Sequence, residues 1–167
     1  MYLKNINLDE KYVTDRVCLN IFALMTGITE GDIEITRREH KIFLKLQEKM
    51  LMVVITDTGQ IYGHNYDDNS PVRSDRHAEA YHLLMETQWI KESEKVPKHG
   101  QKIVLKAKTV DDGFVIYNCE LFAEPPREED GGYQMIYYMA ENLSDGISYD
   151  LFDTEIIGWL PADNVVL

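Results

Sequence analysis

The sequence lacks several features that would assign it to whole classes of protein. It has two cysteines in 167 residues, Cys18 and Cys119, and their wide separation indicates buried thiols rather than a disulfide framework. No apolar run reaches the roughly 18 residues that a transmembrane helix needs. The start, Met1–Asn5, lacks the apolar block of a signal peptide. The sequence therefore predicts a cytoplasmic protein that does not contact membranes.

The last third of the chain is almost without basic residues. From Thr109 onward there are 13 Asp and Glu against one base, Arg127, whereas the first 108 residues carry 16 charges of each sign. The whole net charge of −12 therefore lies at this end. A field of one sign repels nucleic acid and attracts basic proteins, so we expect a basic protein partner and no direct nucleic-acid binding by the acidic region. The expected interaction surface consists of Asp111, Asp112, Glu128, Glu129, Asp130, Asp145, Asp150 and Asp153.

Apolar residues at three- and four-residue spacings predict three helices before residue 96. The first spans Leu8–Met25, with Asn7 or Asp9 as its N-cap and Gly27 as its stop. The second runs from about Arg37 to Lys49, because Thr36-Arg37-Arg38-Glu39 has the form of a capping box. The third begins after Ser74 or Asp75 and continues to about Lys91.

Strand patterns occur on both sides of these helices. A short strand is predicted at Asp32–Ile35, and the apolar run Met50–Ile55 followed by Asp57-Thr58-Gly59 and Gln60–Tyr62 predicts a hairpin. After a loop at Ser93–Gln101, the predicted strands are Lys102–Lys108, Phe114–Phe122, Tyr133–Met139, Ile147–Phe152, Ile156–Trp159 and Val165–Leu167. We therefore predict an α+β protein with N-terminal helices and a β-hairpin in residues 1–96, followed in residues 97–167 by an acidic antiparallel β region that forms a small barrel.

The stretch Gly158–Val166 contains a Gly-aromatic-apolar-Pro run that resembles the last strands of an SH3-like barrel. The acidic, aromatic loop near the start of an SH3 domain is not recognisable in this chain. The peptide-binding function of that family therefore does not carry over.

One stretch carries a chemical motif. Gly63-His64-Asn65 follows the predicted hairpin, and His77-Ala78-Glu79 opens the next helix. This order resembles the zinc-dependent cytidine and deoxycytidylate deaminase-like superfamily. The resemblance implies that His77 is a zinc ligand, that Glu79 shuttles the proton and that Asn65 contacts the substrate.

The second half of that family's motif, Pro-Cys-x-x-Cys, is absent. A zinc site would then need His64, His99 or Cys119 as further ligands. The alternative is that His77 is a polar residue at a helix start, that Glu79 is a first-turn acid favoured by the helix dipole and that Asn65 is a turn residue.

These observations favour a small acidic binding or regulatory protein, of the inhibitor or immunity type, over an enzyme. In this interpretation the C-terminal acidic surface contacts a basic protein and no cofactor is needed. The alternative is a deaminase-like fold that acts on or binds a nucleotide, a hydrolase if it is active, with zinc at His77 and Cys119 only in that case.

Overall fold

The computed structural model is an α+β protein, as predicted, and it describes residues 1–91, 93–98, 100–108, 113–123, 135–139 and 155–166. No helix in these ranges is long and apolar enough to cross a membrane. The elements in chain order are β1 (Tyr2–Leu3), α1 (Asp15–Thr26), β2 (Ile33–Arg38), β3 (Lys41–Leu46), β4 (Leu51–Thr56), β5 (Ile61–Asn65), β6 (Pro71–Val72), α2 (His77–Glu86), β7 (Lys102–Lys108), β8 (Phe114–Ala123), β9 (Met135–Met139), β10 (Glu155–Pro161) and β11 (Val165–Val166).

The chain forms two compact units. One is Leu3–Gln88, and the other combines Met1–Tyr2 with Trp89–Leu167. The predicted division into domains 1–96 and 97–167 stays a prediction.

The first unit contains a five-stranded antiparallel sheet in which each strand pairs with its neighbours in sequence, in the order β2-β3-β4-β5-β6. One register row runs from Ile35 through Leu44, Val53 and Gly63 to Val72. Because successive strand residues alternate between faces, this row and the rows two residues away form one face. That face is the apolar core of the unit and includes Ile42, Leu44, Leu46, Val53, Ile55 and Ile61, all at most 3% exposed.

Helix α1 packs on this core face through Cys18, Ile21, Phe22 and Met25. Its predicted stop is confirmed, since Gly27 has φ 74° and donates its N–H to Ala23 O. Its predicted start at Leu8, with Asn7 or Asp9 as the cap, is wrong. Asp9 O instead accepts from the N–H groups of Tyr12 and Val13 in a separate turn, and the helix is capped by the Thr14 hydroxyl, which accepts from Val17 N at 3.3 Å.

The predicted helix from Arg37 to Lys49 is wrong. These residues form the hairpin of β2 and β3, in which Thr36 pairs with Phe43 and Arg38 with Lys41. The capping-box pattern Thr36-x-x-Glu39 coincides with a strand end and a turn. In β3, Ile42, Leu44 and Leu46 are buried while Lys41, Phe43 and Lys45 are not, so this alternation with a period of two decided the structure.

Helix α2 begins with Arg76 as its N-cap and ends earlier than the predicted Lys91. Ser74 is not its cap, because the Ser74 hydroxyl donates to Leu24 O and accepts from Arg76 N in the turn before the helix. Beyond the helix end, the buried Gln88 side chain accepts from Asn7 N at 2.7 Å and donates to Asn7 O at 3.0 Å. This pair of hydrogen bonds joins the end of the first unit to its N-terminal segment.

The second unit contains the antiparallel sheet β10-β7-β8-β9, and the short strands β1 and β11 form a separate pair. The predicted strands Lys102–Lys108, Phe114–Phe122 and Ile156–Trp159 are confirmed to within two residues, and the predicted Ile147–Phe152 lies outside the described residues. The core contains Ile103, Leu105 and Trp159, each at most 1% exposed. The described strands form an open order rather than a closed ring, and the barrel stays a prediction.

Candidate functional site

The motif residues lie at one strand–helix junction of the first unit. The predicted hairpin is confirmed as β4 and β5, and Gly63, His64 and Asn65 are its last three residues. Helix α2 then begins at His77. The hairpin and the helix therefore follow one another as predicted, with the short strand β6 between them, and the deaminase resemblance stays a prediction.

His77 is held by one of its ring nitrogens. His77 Nε2 lies 2.9 Å from Ile61 O, and because a carbonyl only accepts, Nε2 carries the proton and donates it. The lone pair of the neutral ring is then on Nδ1. A histidine that ligates a metal is commonly oriented by such a bond from its other nitrogen, and the same bond also joins the start of α2 to β5.

Glu79 forms an ion pair with the residue that precedes the helix. Its two carboxylate oxygens accept from Arg76 Nε at 3.1 Å and from Arg76 Nη2 at 2.7 Å. This hydrogen bonding lowers the pKa of Glu79 below its ordinary value. A proton shuttle works best with a pKa near the operating pH, and the pairing with Arg76 instead favours the ionised carboxylate.

Asn65 takes part in a turn. Its side-chain oxygen accepts from Asp67 N at 2.9 Å, and its own N–H donates to Ser70 O at 2.8 Å. Both bonds shape the loop between β5 and β6, which is the turn role that asparagine commonly has.

The described residues contain no group of three His, Cys, Asp or Glu side chains placed to hold a metal ion. Cys119 lies on β8, opposite Ile103 in the register, and belongs to the second unit, whereas His77 belongs to the first. His99 lies outside the described residues. A tetrahedral zinc site needs further ligands beside His77, and zinc binding by His77 and Cys119 stays a prediction.

The residues of the predicted acidic surface all lie outside the described residues: Asp111, Asp112, Glu128, Glu129, Asp130, Asp145, Asp150 and Asp153. The strands that border them in sequence are described. Lys108, Phe114 and Glu155 share one register row at one end of the sheet, where β7 ends and β8 and β10 begin. The chain therefore leaves β7 and returns to β8 and β10 at the same end.

A cleft of about 430 Å³ lies in the first unit between the N-terminal segment Ile6–Glu10 and the end of β2. The Arg37 guanidinium beside it donates to Asp15 at 2.8 Å and approaches Leu8 O at 3.4 Å and the buried Cys18 Sγ at 3.8 Å. Burial raises the pKa of the Cys18 thiol to about 11, so this thiol is not a nucleophile near neutral pH. Asp15 already neutralises Arg37, and the cleft offers no unpaired charge from this side chain.

The sheet face opposite the helices carries residues that sequence reasoning assigned to a helix. Phe43 and Lys45 of β3 point to this face, as do Tyr62 and His64 of β5 on the other side of β4. The signal was the alternation in Lys41–Leu46, which places Phe43 and Lys45 on the side away from Ile42 and Leu44. This surface is called the outer face below.

Comparisons of the chain with protein-family models, with curated proteins and with solved structures find no match.

Proposed function

We propose that this is a small acidic binding protein whose residues 109–167 engage a basic protein partner. The observation that supports the proposal is the ratio of 13 acidic residues to one basic residue in this stretch. A ratio this one-sided exceeds what solubility requires of a small domain. It creates a negative potential that steers and orients a positively charged partner.

The topology of the second unit supports the same proposal. The acidic residues fall mainly in three stretches of sequence, which separate β7 from β8, β8 from β9 and β9 from β10. The strands themselves form a sheet with an apolar core. Residues between strands carry binding functions more often than the strands that hold them in place.

The test uses the full chain, a lysine-rich model peptide and isothermal titration calorimetry. The test variant combines four neutral substitutions in the predicted surface, Asp111→Asn, Asp112→Asn, Asp145→Asn and Asp150→Asn. The matched control makes the same change in net charge at four exposed acids of the first unit, Glu30→Gln, Asp32→Asn, Glu48→Gln and Asp67→Asn.

We expect the test variant to weaken binding about tenfold, since exposed ion pairs contribute up to about 1 kcal/mol each, and the control to change it little. Affinity of the unchanged chain should fall steeply between 0.05 M and 0.3 M salt, because exposed charges are screened over about 10 Å at 0.1 M. Equal losses in the test and control variants would show only a general charge effect, and binding that ignores salt would also contradict the proposal.

A second candidate is a deaminase-like protein that binds or acts on a nucleotide. The observation that favours it is His77, whose Nε2–H bond to Ile61 O leaves Nδ1 as the nitrogen that a metal would need. Metal analysis of the purified chain tests it, with about one zinc per chain expected if a site exists. A metal-free chain whose nucleotide binding is unchanged by His77→Ala would exclude this candidate.

A further inference from the structure

The outer face of the five-stranded sheet is not an ordinary solvated surface. Thr36, Phe43, Val54 and Tyr62 form one register row across β2, β3, β4 and β5. Val54 in the middle of this row is 1% exposed, although α1 packs on the other face, and Tyr62 is 42% exposed. The row therefore places one aromatic side chain on each side of a covered valine.

More aromatic side chains lie close to this row. His64 is two residues from Tyr62 on the same strand, and the two rings are stacked with centroids 6.4 Å apart and planes 25° from parallel. Tyr66, just beyond β5, lies under the Lys45 ammonium at 4.9 Å. Flat rings on a solvent-facing antiparallel sheet are the surfaces on which unpaired bases stack in several nucleic-acid-binding folds.

The charge on this face is mainly positive. Arg38, Lys41 and Lys45 point to it, against one carboxylate, Glu34, which is opposite Lys45 in the register. Arg38 and Lys41 are directly paired across the hairpin, and like charges in that position are destabilising. The Arg38 guanidinium also lies 5.5 Å from the centre of the Phe43 ring. An anionic ligand would relieve the repulsion between Arg38 and Lys41.

We infer that the outer face binds single-stranded nucleic acid, with bases stacked on Phe43 and Tyr62 and phosphates held by Arg38, Lys41 and Lys45. Phe43 and Tyr62 are two strands apart, which is about 10 Å. Neighbouring bases within one strand of a duplex are only about 3.4 Å apart. Bases that stack on these two rings therefore cannot remain stacked on each other. A single strand permits this arrangement and a duplex does not.

The test is fluorescence anisotropy of the full chain with labelled 15-nucleotide oligo(dT), 15-nucleotide oligo(U) and a duplex of the same length. Tyr62→Ala should weaken single-strand binding about fivefold to 150-fold, which is the range for losing one stacked base. Three phosphate contacts predict a slope of about −2 for log K against log salt, and Lys45→Gln should reduce its magnitude by about 0.7. Tighter binding of the DNA or of the RNA strand identifies which of the two is the ligand.

The chain provides a matched control. Lys11 lies 5.7 Å from the centre of the Tyr12 ring, which is the same pair of side chains as Lys45 and Tyr66 but in a segment that is not part of a strand. Tyr12→Ala should leave binding unchanged. The exposed side chain of Tyr62 makes its loss compatible with folding, and circular dichroism of each variant checks this.

Three outcomes would overturn the inference. The first is that neither single strand binds at 0.1 M salt. The second is that the wild-type chain and Tyr62→Ala bind the single strands with equal affinity. The third is that heparin, a polyanion without bases, binds as tightly as the single strands. The four acidic-region substitutions that test the proposed function leave this face unchanged, so the two proposals can fail separately.

Discussion

Gly158 on β10 is a position in the second unit at which a single added methyl group should be strongly destabilising. A Cβ atom built there would lie 3.0 Å from Ile90 O and 3.0 Å from Trp89 Cβ. Ile90 has little room to withdraw, because its carbonyl accepts from Trp159 N at 2.9 Å and its N–H donates to Trp159 O at 3.0 Å. The substitution Gly158→Ala therefore places a new methyl group against backbone atoms that hydrogen bonds hold in place.

The expected cost follows from these distances. Ordinary van der Waals contacts begin at 3.4 Å, so the backbone around Ile90 must move by about 0.4 Å or the two hydrogen bonds must lengthen. Inserting one methyl group into a well-packed site costs about 1–3 kcal/mol. For a unit of about 80 residues, each kcal/mol lowers Tm by about 4–8 °C.

The positions of the tryptophans make the measurement specific. The chain has two of them, Trp89 and Trp159, and both belong to the second unit. Tryptophan fluorescence during urea unfolding therefore reports on that unit, whereas α1 and α2, the α-helices of the described residues, give the circular dichroism signal of the first unit. We expect Gly158→Ala to lower the urea midpoint seen by fluorescence.

Gly63→Ala is the matched control within a strand. Its added Cβ would lie 3.2 Å from the Val72 side chain and 3.6 Å from Met52 O, and Val72 is on the two-residue edge strand β6, which has room to shift. We expect a cost below about 1 kcal/mol, because the contact is longer and is made to a side chain. If Gly158→Ala unfolds at the wild-type urea concentration, or if Gly63→Ala costs more, the packing argument is wrong.

Two further predictions concern the first unit. The 2.7 Å hydrogen bond to Asp57 raises the pKa of His40, so the pair stabilises the fold below the unfolded histidine pKa of about 6.5, and this contribution is lost as pH rises through the higher folded pKa. The difference in unfolding free energy between wild type and His40→Gln, measured in urea, should therefore shrink from pH 5 to pH 9. A constant or growing difference would contradict this. Thr14→Ala removes the N-cap of α1 and should cost about 1 kcal/mol by circular dichroism at 222 nm, whereas a cost of zero would mean that the cap does not stabilise the helix.

The parts of the fold that the sequence predicted correctly have local causes. Lys102–Lys108 and the run Met50–Ile55 are predicted as strands because their own composition favours a buried strand. Gly27 ends α1 because only a residue that tolerates positive φ suits that position. In each case the residues that determine the structure are neighbours in sequence.

The hairpin of β2 and β3 was missed because two local patterns conflicted. Thr36-x-x-Glu39 and a charged run favoured a helix, while Ile42, Leu44 and Leu46 alternated as in a strand. A capping box contributes about 1 kcal/mol, but three buried aliphatic side chains contribute roughly 1.5–3 kcal/mol each. These residues therefore form a strand rather than a helix. The outer face depends on this result, because it requires Phe43 and Lys45 to be on a strand.

The candidate sites also differ in how far the sequence alone predicts them. The charge asymmetry is visible in the sequence, because counting charges needs no structure. Whether His77 and Cys119 belong to one site depends on how distant parts of the chain fold, which a three-residue motif does not report. The hydrogen bonds between Gln88 and Asn7 and between Ile90 and Trp159 also join residues that are far apart in the chain. No sequence pattern predicted them.

The charge of the whole chain is a poor guide to what each surface binds. A field is screened over about 8–10 Å at physiological salt, so a ligand on Tyr62 responds mainly to nearby groups such as Arg38, Lys41 and Lys45. The net charge of −12 therefore says little about this face, because the cations beside the ligand determine binding there at physiological salt. Measurements on the outer face must accordingly be made near 0.1 M and above, where the charges beside the ligand dominate.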